Sequence, residues 1–240
     1  MKIQQLFNEL KILTENKENV FEESGMINCY DKMQYGFFPL GLGILTKNNK
    51  TNKIPPTNEI EEGGVMVLGN DFGTISYVEN DCNYIGETDG RTVNNLLGKV
   101  MLDVNNTFFT NFYLGVRQVS GRYEGTTMIK RIFDGKPNKL KENYKQLCYD
   151  FFITQLELVK PKIVICLGHD VKDALIETCQ ITEWKKSDSL KKIYVRGNYS
   201  LPNNKLGKMK FVIIPHPCDL RNFKTDHIDK LNEELKNSPI

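Results

Sequence analysis

Polar side chains follow four short apolar runs of the sequence, each at a point where a buried strand is expected to end. They are Asn70 and Asp71 after VMVLG, Asn111 at the end of TFFTN, His169 and Asp170 after IVICLG, and His216 after KMKFVIIP. An asparagine amide can read the hydrogen-bonding edge of a ligand, a neutral imidazole can stabilise negative charge, and a carboxylate can stabilise positive charge. Because ligands of open α/β sheets bind beyond the carboxyl ends of the strands, these groups predict a binding site there.

Each of these residues also has a purely structural explanation. Asp71 can cap a turn beside glycine, Asn111 can bond its own backbone, and His216 can be an ordinary loop histidine. Their joint occurrence at successive strand ends is what favours a site. His169 is given no role, because Asp170 is well explained as the N-cap of the following helix.

The elements that hold these residues alternate between strands and helices. Apolar spacing predicts helices over 2–14, 91–103, 143–159, 171–180 and 226–236, and strands over 65–69, 107–111, 163–168, 192–200 and 208–215. Glycines and prolines predict a long irregular loop over 117–141. The alternation predicts a three-layer α/β/α fold around a central, mostly parallel sheet of four to five strands.

The length and composition indicate one intracellular domain. A chain of 240 residues can bury its own core, so we expect a single domain over 1–240, with an N-terminal helix and irregular extension over 1–60 and the core over 61–240. No run of about 18 apolar residues is present, which argues against a membrane protein. The N-terminus lacks the apolar segment of a signal peptide, so the expected location is the cytoplasm.

The cysteines and histidines do not indicate a metal site. Six cysteines are scattered without a C-x-x-C pair, and the three histidines lie in separate segments. In a chain of this size that pattern is typical of reduced thiols. We therefore expect neither a metal nor another cofactor.

Two stretches of the chain are strongly basic. Residues 117–141 contain seven Lys and Arg against two acidic residues, and residues 185–210 contain eight against one. Such asymmetry is typical of a phosphate-facing surface, although basic loops are often only solvated. The candidate DNA-binding lysines are Lys185, Lys186, Lys191 and Lys192.

Two short motifs resemble those of the uracil-DNA glycosylase superfamily. Residues 69–73, GNDFG, are similar to its first motif, written GQDPY in family 1 and GEAPG in family 4. Residues 216–221, HPCDLR, are similar to the second, HPS followed by a leucine and an arginine. FFTN (108–111) lies where these families have a strand ending in asparagine, and residues 155–175 are similar to a family 4 segment. The resemblance runs from about Val65 to Phe223.

The resemblance implies a DNA glycosylase that hydrolyses the N-glycosidic bond of a flipped-out base such as uracil. By resemblance His216 donates to the leaving base and Asp71 stabilises the sugar cation and orients water. Asn111 suits uracil, because its carbonyl accepts from the ring N–H and its NH₂ donates to the exocyclic oxygen. The remaining expected site residues are Asn70, Phe72 and Gly73 around the base and Arg221 in the loop that presses into the duplex.

The sequence departs from the family pattern at several positions. Gly115 stands where family 4 has a cluster-binding cysteine and only Cys148 matches, so we expect no iron-sulfur cluster and a buried Cys148. Gly73 stands where family 1 has a tyrosine that blocks the thymine methyl group, which predicts a broader substrate range. Phe72 replaces the family proline. The candidate residues for stacking on the base are Phe72, Tyr77 and Tyr84.

Two other functions remain open on this reasoning. One is a catalytically silent module of the same fold that binds nucleic acid, since the motif departures could remove activity. The other is an enzyme acting on a free nucleoside or nucleotide, which has no need of basic loops. For the leading hypothesis the partner is DNA, single- or double-stranded, and the chain is expected to act as a monomer without contact to a membrane.

Overall fold

The structure is a computed structural model that describes residues 3–15, 18–28, 62–71, 95–96, 98–102, 107–118, 133, 135–203, 209–217 and 224–238. In chain order its helices and strands are α1 (Ile3–Glu15), α2 (Glu18–Ser24), β1 (Met26–Asn28), β2 (Val65–Gly69), β3 (Thr107–Asn111), β4 (Gly115–Arg117), α3 (Asn138–Val159), β5 (Ile163–Leu167), α4 (His169–Thr178), α5 (Leu190–Val195), β6 (Ser200–Asn203), β7 (Met209–Ile214) and α6 (Thr225–Lys236).

A five-stranded sheet forms the centre of the molecule, in the order β3-β2-β5-β7-β6. The first four strands in this order are parallel, and β6 pairs antiparallel with β7 at the edge. All residues of β2 and β5 are buried, because the connections between parallel strands place helices on both faces. The predicted α/β fold with a mostly parallel central sheet is confirmed.

The side chains of each strand alternate between two cores. Met66 and Leu68 face the larger core, which also contains the buried face of α3, whereas Val65 and Val67 face a smaller core closed by α6. This alternation is the period of two that a strand imposes on its side chains. Layers of helices therefore lie on the two sides of the sheet and hold its carboxyl edge in place.

The N-terminal elements join the larger core, a contribution that the sequence analysis did not predict. Leu6 of α1, Phe21 of α2 and Met26 of β1 are all buried there, and both helices contact α3. Strand β1 pairs antiparallel with β4, with Met26 opposite Arg117 and Asn28 opposite Gly115. These two strands form a small second sheet beside the main one.

The predicted strand over 192–200 is wrong. Residues Leu190–Val195 form α5, and the strand begins only at Ser200. The Ser189 side chain accepts from the backbone N–H of Lys192 and starts a short helix, which the β-branched residues that follow do not prevent. The turn after the helix passes through Gly197 at a φ of 75°, and Trp184 donates to the carbonyl of Asn198.

Two other boundaries differ from the sequence prediction. The predicted helix over 91–103 has helical residues at 95–96, but residues 98–102 form a turn followed by chain without regular secondary structure. The predicted irregular stretch over 117–141 begins with a strand residue, Arg117, and its last residues belong to α3, which starts after Pro137. Among the described residues, no helix is long and apolar enough to cross a membrane.

Candidate active site

The end of β2 lies against the end of β3, which brings Asn111 to the first motif. Gly69 is paired with Asn111, and a Cβ atom on Gly69 would lie 2.1 Å from Asn111 Oδ1. Glycine is therefore required for the Asn111 amide to lie across this strand end. The backbone N–H groups of Phe112 and Tyr113 donate to the carbonyls of Gly69 and Asn70, at 2.9 Å each, and continue the pairing past the strands.

Asp71 is held by two side chains, one on each carboxylate oxygen. Arg117 Nη2 lies 3.1 Å from Oδ1, and Asn70 Nδ2 donates to Oδ2 at 3.2 Å. The side chains of Arg117 and Asp71 are only 7% and 16% exposed. Because each oxygen has its own donor, the plane of the carboxylate is fixed at the sheet edge.

The other end of the Asn70 amide is an acceptor without a donor. Nδ2 must face the Asp71 carboxylate, which accepts only, so Oδ1 points the other way. That oxygen is buried and has no hydrogen-bond partner among the described residues. A buried acceptor left unpaired costs roughly 1–3 kcal/mol, so this atom favours a ligand that brings a donor.

His216 follows β7 and lies against the loop after β5. A Cβ atom on Gly168, which has a φ of 89°, would be 3.3 Å from His216 Cβ, and the Gly168 N–H donates to the carbonyl of Ile214 at 2.8 Å. The chain after His216 is held by Asn95, whose Nδ2 donates to the Pro217 carbonyl at 3.1 Å. Since neighbouring strands lie about 4.8 Å apart, the ends of β2 and β7, with β5 between them, are separated by roughly 10 Å.

A cavity of about 810 Å³ opens beside His216. Among the described residues, its wall contains three lysines, three histidines and one acidic residue, Asp226. The lining residues include His169, Lys191, Tyr194, His216, Lys224 and Lys230. Tyr194 stacks on Tyr199 with the ring centroids 5.1 Å apart, and the Lys230 ammonium lies over both rings.

Lys172 is a buried residue of this region that the sequence analysis missed. Its side chain is 0% exposed, and Nζ donates to the carbonyls of Lys185 (2.9 Å), Lys186 (3.0 Å) and Asp188 (2.7 Å). The same ammonium lies 3.1 Å from His169 Nε2. It therefore ties the chain at 185–188 to α4 and orients a histidine of the cavity wall. In the sequence it looks like one more surface lysine of an amphipathic helix.

Asp170 and His169 differ from the sequence interpretation. The N-cap of α4 is Gly168, so the predicted N-cap role of Asp170 is wrong, and Asp170 lies in the first turn instead. The pKa of Asp170 is raised because its carboxyl is partly removed from water, and repulsion from Asp173 and Asp71 adds to this. The repulsion between Asp71 and Asp170 acts between residues that follow two adjacent strands, β2 and β5. His169, which was given no role, lines the cavity together with His216.

The four predicted DNA-binding lysines, all of them exposed, differ in their surroundings. Lys191 lines the cavity beside His216, whereas the Lys186 ammonium pairs with Glu177, which also binds Lys145. The hydrogen bond to Glu177 raises the pKa of Lys186. Lys185 and Lys192 are exposed residues on either side of this loop. The cavity therefore includes one of the four, together with Lys224 and Lys230, which the sequence analysis did not name.

Of the other predicted residues, Cys148 is among the described residues and five site candidates are not. Cys148 is a buried residue of α3, as predicted, and burial raises the pKa of its thiol to about 12. Among the described residues, no group of three His, Cys, Asp or Glu side chains could hold a metal ion. The predictions for Phe72, Gly73, Tyr77, Tyr84 and Arg221 concern positions outside the described residues.

The fold and this site define an α/β protein with polar and ionisable side chains at the carboxyl ends of parallel strands, where ligands of such sheets bind. Residues 57–236 match the family model of the Uracil DNA glycosylase superfamily, and the chain belongs to this superfamily of DNA glycosylases. The predicted family membership is thus confirmed. No curated protein matches the chain.

Proposed function

We propose that this chain is a DNA glycosylase that hydrolyses the N-glycosidic bond of uracil, or a related base, after the base has left the stack. One arrangement carries the proposal. Asn111, Asn70 and Asp71 meet at two paired strand ends, and His216 follows a third strand at the same edge, about 10 Å away. Membership of the glycosylase superfamily supports this reading of the four side chains.

Base recognition rests on the amide of Asn111. Its position against Gly69 directs the amide across the strand end, where the carbonyl oxygen accepts from a ring N–H and the NH₂ donates to an exocyclic oxygen. Uracil has this donor and acceptor order and cytosine has the reverse, so the wrong base leaves buried groups unpaired. The unpaired Oδ1 of Asn70 gives a second acceptor at the same place.

Bond cleavage uses the two ionisable groups. The C1′–N bond breaks with its electron pair leaving on the base, and His216 donates a hydrogen bond to the base oxygen on which negative charge develops. Asp71 stabilises the positive charge on the sugar and orients a water molecule, whose oxygen bonds to C1′. Asp71 accepts the proton that this water releases and later gives it up to solvent, and the departed base anion takes a proton from solvent, so the products are the free base and an abasic sugar.

The cavity beside His216 suits the flanking strand. Lys191, Lys224 and Lys230 supply positive charge for phosphates, and Tyr194, whose ring is stacked on Tyr199, lines the same cavity. Basic grooves with aromatic surfaces are typical of nucleic-acid contacts. On this proposal the chain acts as a monomer on DNA, and Arg221 enters the duplex from the loop after His216.

The direct test is incubation with an oligonucleotide that contains one uracil, followed by alkali and analysis of strand breaks. We expect a break at the uracil position and none in the matched cytosine oligonucleotide. A break in the matched thymine oligonucleotide as well would agree with the broader substrate range predicted from Gly73. Free deoxyuridine is the control for action on nucleosides. If oligonucleotides that contain uracil or a related base yield no alkali-labile sites, either as single strands or as duplexes, the proposal is refuted.

One observation favours a second function, a silent module that binds uracil-containing DNA. The ion pair with Arg117 offsets the negative charge of Asp71, and this charge is what the sugar cation needs. A silent module would bind the uracil oligonucleotide more tightly than the matched thymine one and leave both intact. The same incubation, combined with a binding titration, separates the two functions.

A further inference from the structure

We infer that Arg117 is the positioning residue of the active site, and that the N-terminal strand β1 keeps it in place. The inference rests on the proposed function, because it assigns Arg117 a part in setting the orientation of Asp71. Arg117 lies 46 positions from Asp71 in sequence and reaches it from the small second sheet, across a buried contact of 3.1 Å.

The geometry favours positioning over simple charge balance. Arg117 holds one oxygen of the carboxylate and Asn70 holds the other, so rotation about the Cβ–Cγ bond of Asp71 breaks at least one contact. A guanidinium is planar, stays protonated and presents several donors in a rigid fork. If the carboxylate oxygens move by a fraction of an ångström, they no longer point at the sugar and at the attacking water. Such misplacement lowers reaction rates strongly.

The strand that carries Arg117 is held from two sides. On one side, the Gly115 N–H donates to Tyr144 Oη at 2.9 Å, and the Leu114 N–H donates to Cys148 Sγ at 3.5 Å, which ties the strand to α3. On the other side Met26 is the partner of Arg117 in β1. A Cβ atom on Gly115 would lie 2.5 Å from Met26 Sδ and 2.9 Å from Tyr144 Oη, so these elements are in close contact.

Strand β1 lies outside the segment that matches the superfamily, which begins at residue 57. It is fixed in turn by Lys136, whose ammonium donates to the carbonyls of Glu23 (3.1 Å) and Ser24 just before the strand. Residues 18–28 therefore support the active site through one chain of contacts: β1 holds β4, β4 carries Arg117, and Arg117 orients Asp71. This gives the N-terminal segment a part in the proposed reaction.

The experiment compares Arg117→Met and Arg117→Lys with wild type in single-turnover excision of uracil, with affinity measured on the same oligonucleotide. Lys210→Met is the matched control, because it removes an ion pair with Glu234 near the amino end of β7, away from the carboxyl ends of the strands that form the site. We expect Arg117→Met to lower the excision rate about a hundredfold and to change Kd by less than threefold. Arg117→Lys should recover part of the rate, and Lys210→Met should retain the wild-type rate.

The outcomes are distinguishable. A wild-type chain without excision activity refutes the proposed function and this inference together, and is seen before any variant is compared. An active wild type with a folded Arg117→Met variant at the same rate overturns the inference alone. If Arg117→Met does not fold, Arg117→Lys decides: we expect about a tenfold lower rate at unchanged Kd, since one ammonium replaces the fork, and a wild-type rate overturns the inference.

A double variant shows whether Arg117 acts through Asp71. In the Asp71→Asn background, Arg117→Met should lower the remaining rate by less than twofold, because the carboxylate that it orients is already gone. If the loss of excision rate in the double variant equals the product of the two single-variant losses, Arg117 contributes independently of Asp71. That result would overturn the positioning role.

Discussion

The two halves of the site are built in different ways. At the end of β2, Asp71 and Arg117 are nearly buried, and a glycine without room for a methyl group fixes Asn111. Beside His216, a cavity of about 810 Å³ opens between lysines, histidines and a tyrosine. For the proposed reaction, the first half has its groups held before a ligand arrives, as stabilisation of charge on a base and a sugar requires. The second half offers positive charge and space, which suits the proposed binding of DNA of variable sequence.

This comparison predicts that substitutions in the buried half change turnover, whereas substitutions in the open half change affinity. Asp71→Asn carries the largest expected effect. The excision rate should fall by orders of magnitude while Kd stays close to the wild-type value, because the charge acts in the transition state. Single-turnover excision and a binding titration on one uracil oligonucleotide measure both quantities. Equal losses of binding and turnover would contradict the catalytic role.

His216 lies at the boundary between the halves, and His216→Ala tests to which half it belongs. We expect a loss of roughly 3 kcal/mol in transition-state stabilisation, about a hundredfold in rate, because one donor to the leaving base is removed. Kd should change little. A variant that excises at the wild-type rate but binds DNA more weakly would assign His216 to the open half.

Gly69→Ala tests the contact that holds Asn111. The added Cβ would lie 2.1 Å from Asn111 Oδ1, so the amide must move, and we expect about a tenfold loss of uracil excision. The backbone at Gly69 is that of an ordinary strand, so alanine is otherwise tolerated. Asn111→Ala is the matched background, in which Gly69→Ala should have no further effect. A full additional loss there would mean that Gly69 acts by another route.

The smallest expected effect separates two lysines of the basic stretch. Lys191→Met should lower the slope of log K against log salt by about 0.9, because it removes one phosphate contact in the open half. Lys186→Met should leave the slope unchanged, because its ammonium already pairs with Glu177 away from the cavity. Equal slopes for both variants would show that the cavity does not follow the DNA backbone.

The site residues at the strand ends could be predicted from the sequence, but the side chain that orients Asp71 could not. Asp71, Asn111 and His216 each lie at or just after the end of a predicted buried strand. Parallel strands bring their carboxyl ends to one edge of the sheet independently of the loop sequences. The Arg117 contact depends on a strand of three residues, Gly115–Arg117, whose last residue begins the stretch that was predicted to be an irregular loop. Such a short strand exists only through its pairing with β1, which is tertiary information.

The same limit explains the errors around the cavity. α5 was mistaken for a strand because its apolar, β-branched residues suit either structure, and the Ser189 cap decided in favour of a helix. His169 was set aside because Asp170 resembles an N-cap, although Gly168 occupies that position. Lys172 has the sequence of an exposed residue, and only the carbonyls that converge on it reveal its role.

The ammonium of Lys172 takes the place that a bound metal ion has in many loops. Three carbonyl oxygens from residues 185, 186 and 188 converge on it as they would on a calcium ion. A cation that is covalently part of the chain has no dissociation constant, and no chelator removes it. Residues 185–188, which border the cavity, are thus held by a cation that belongs to the chain itself.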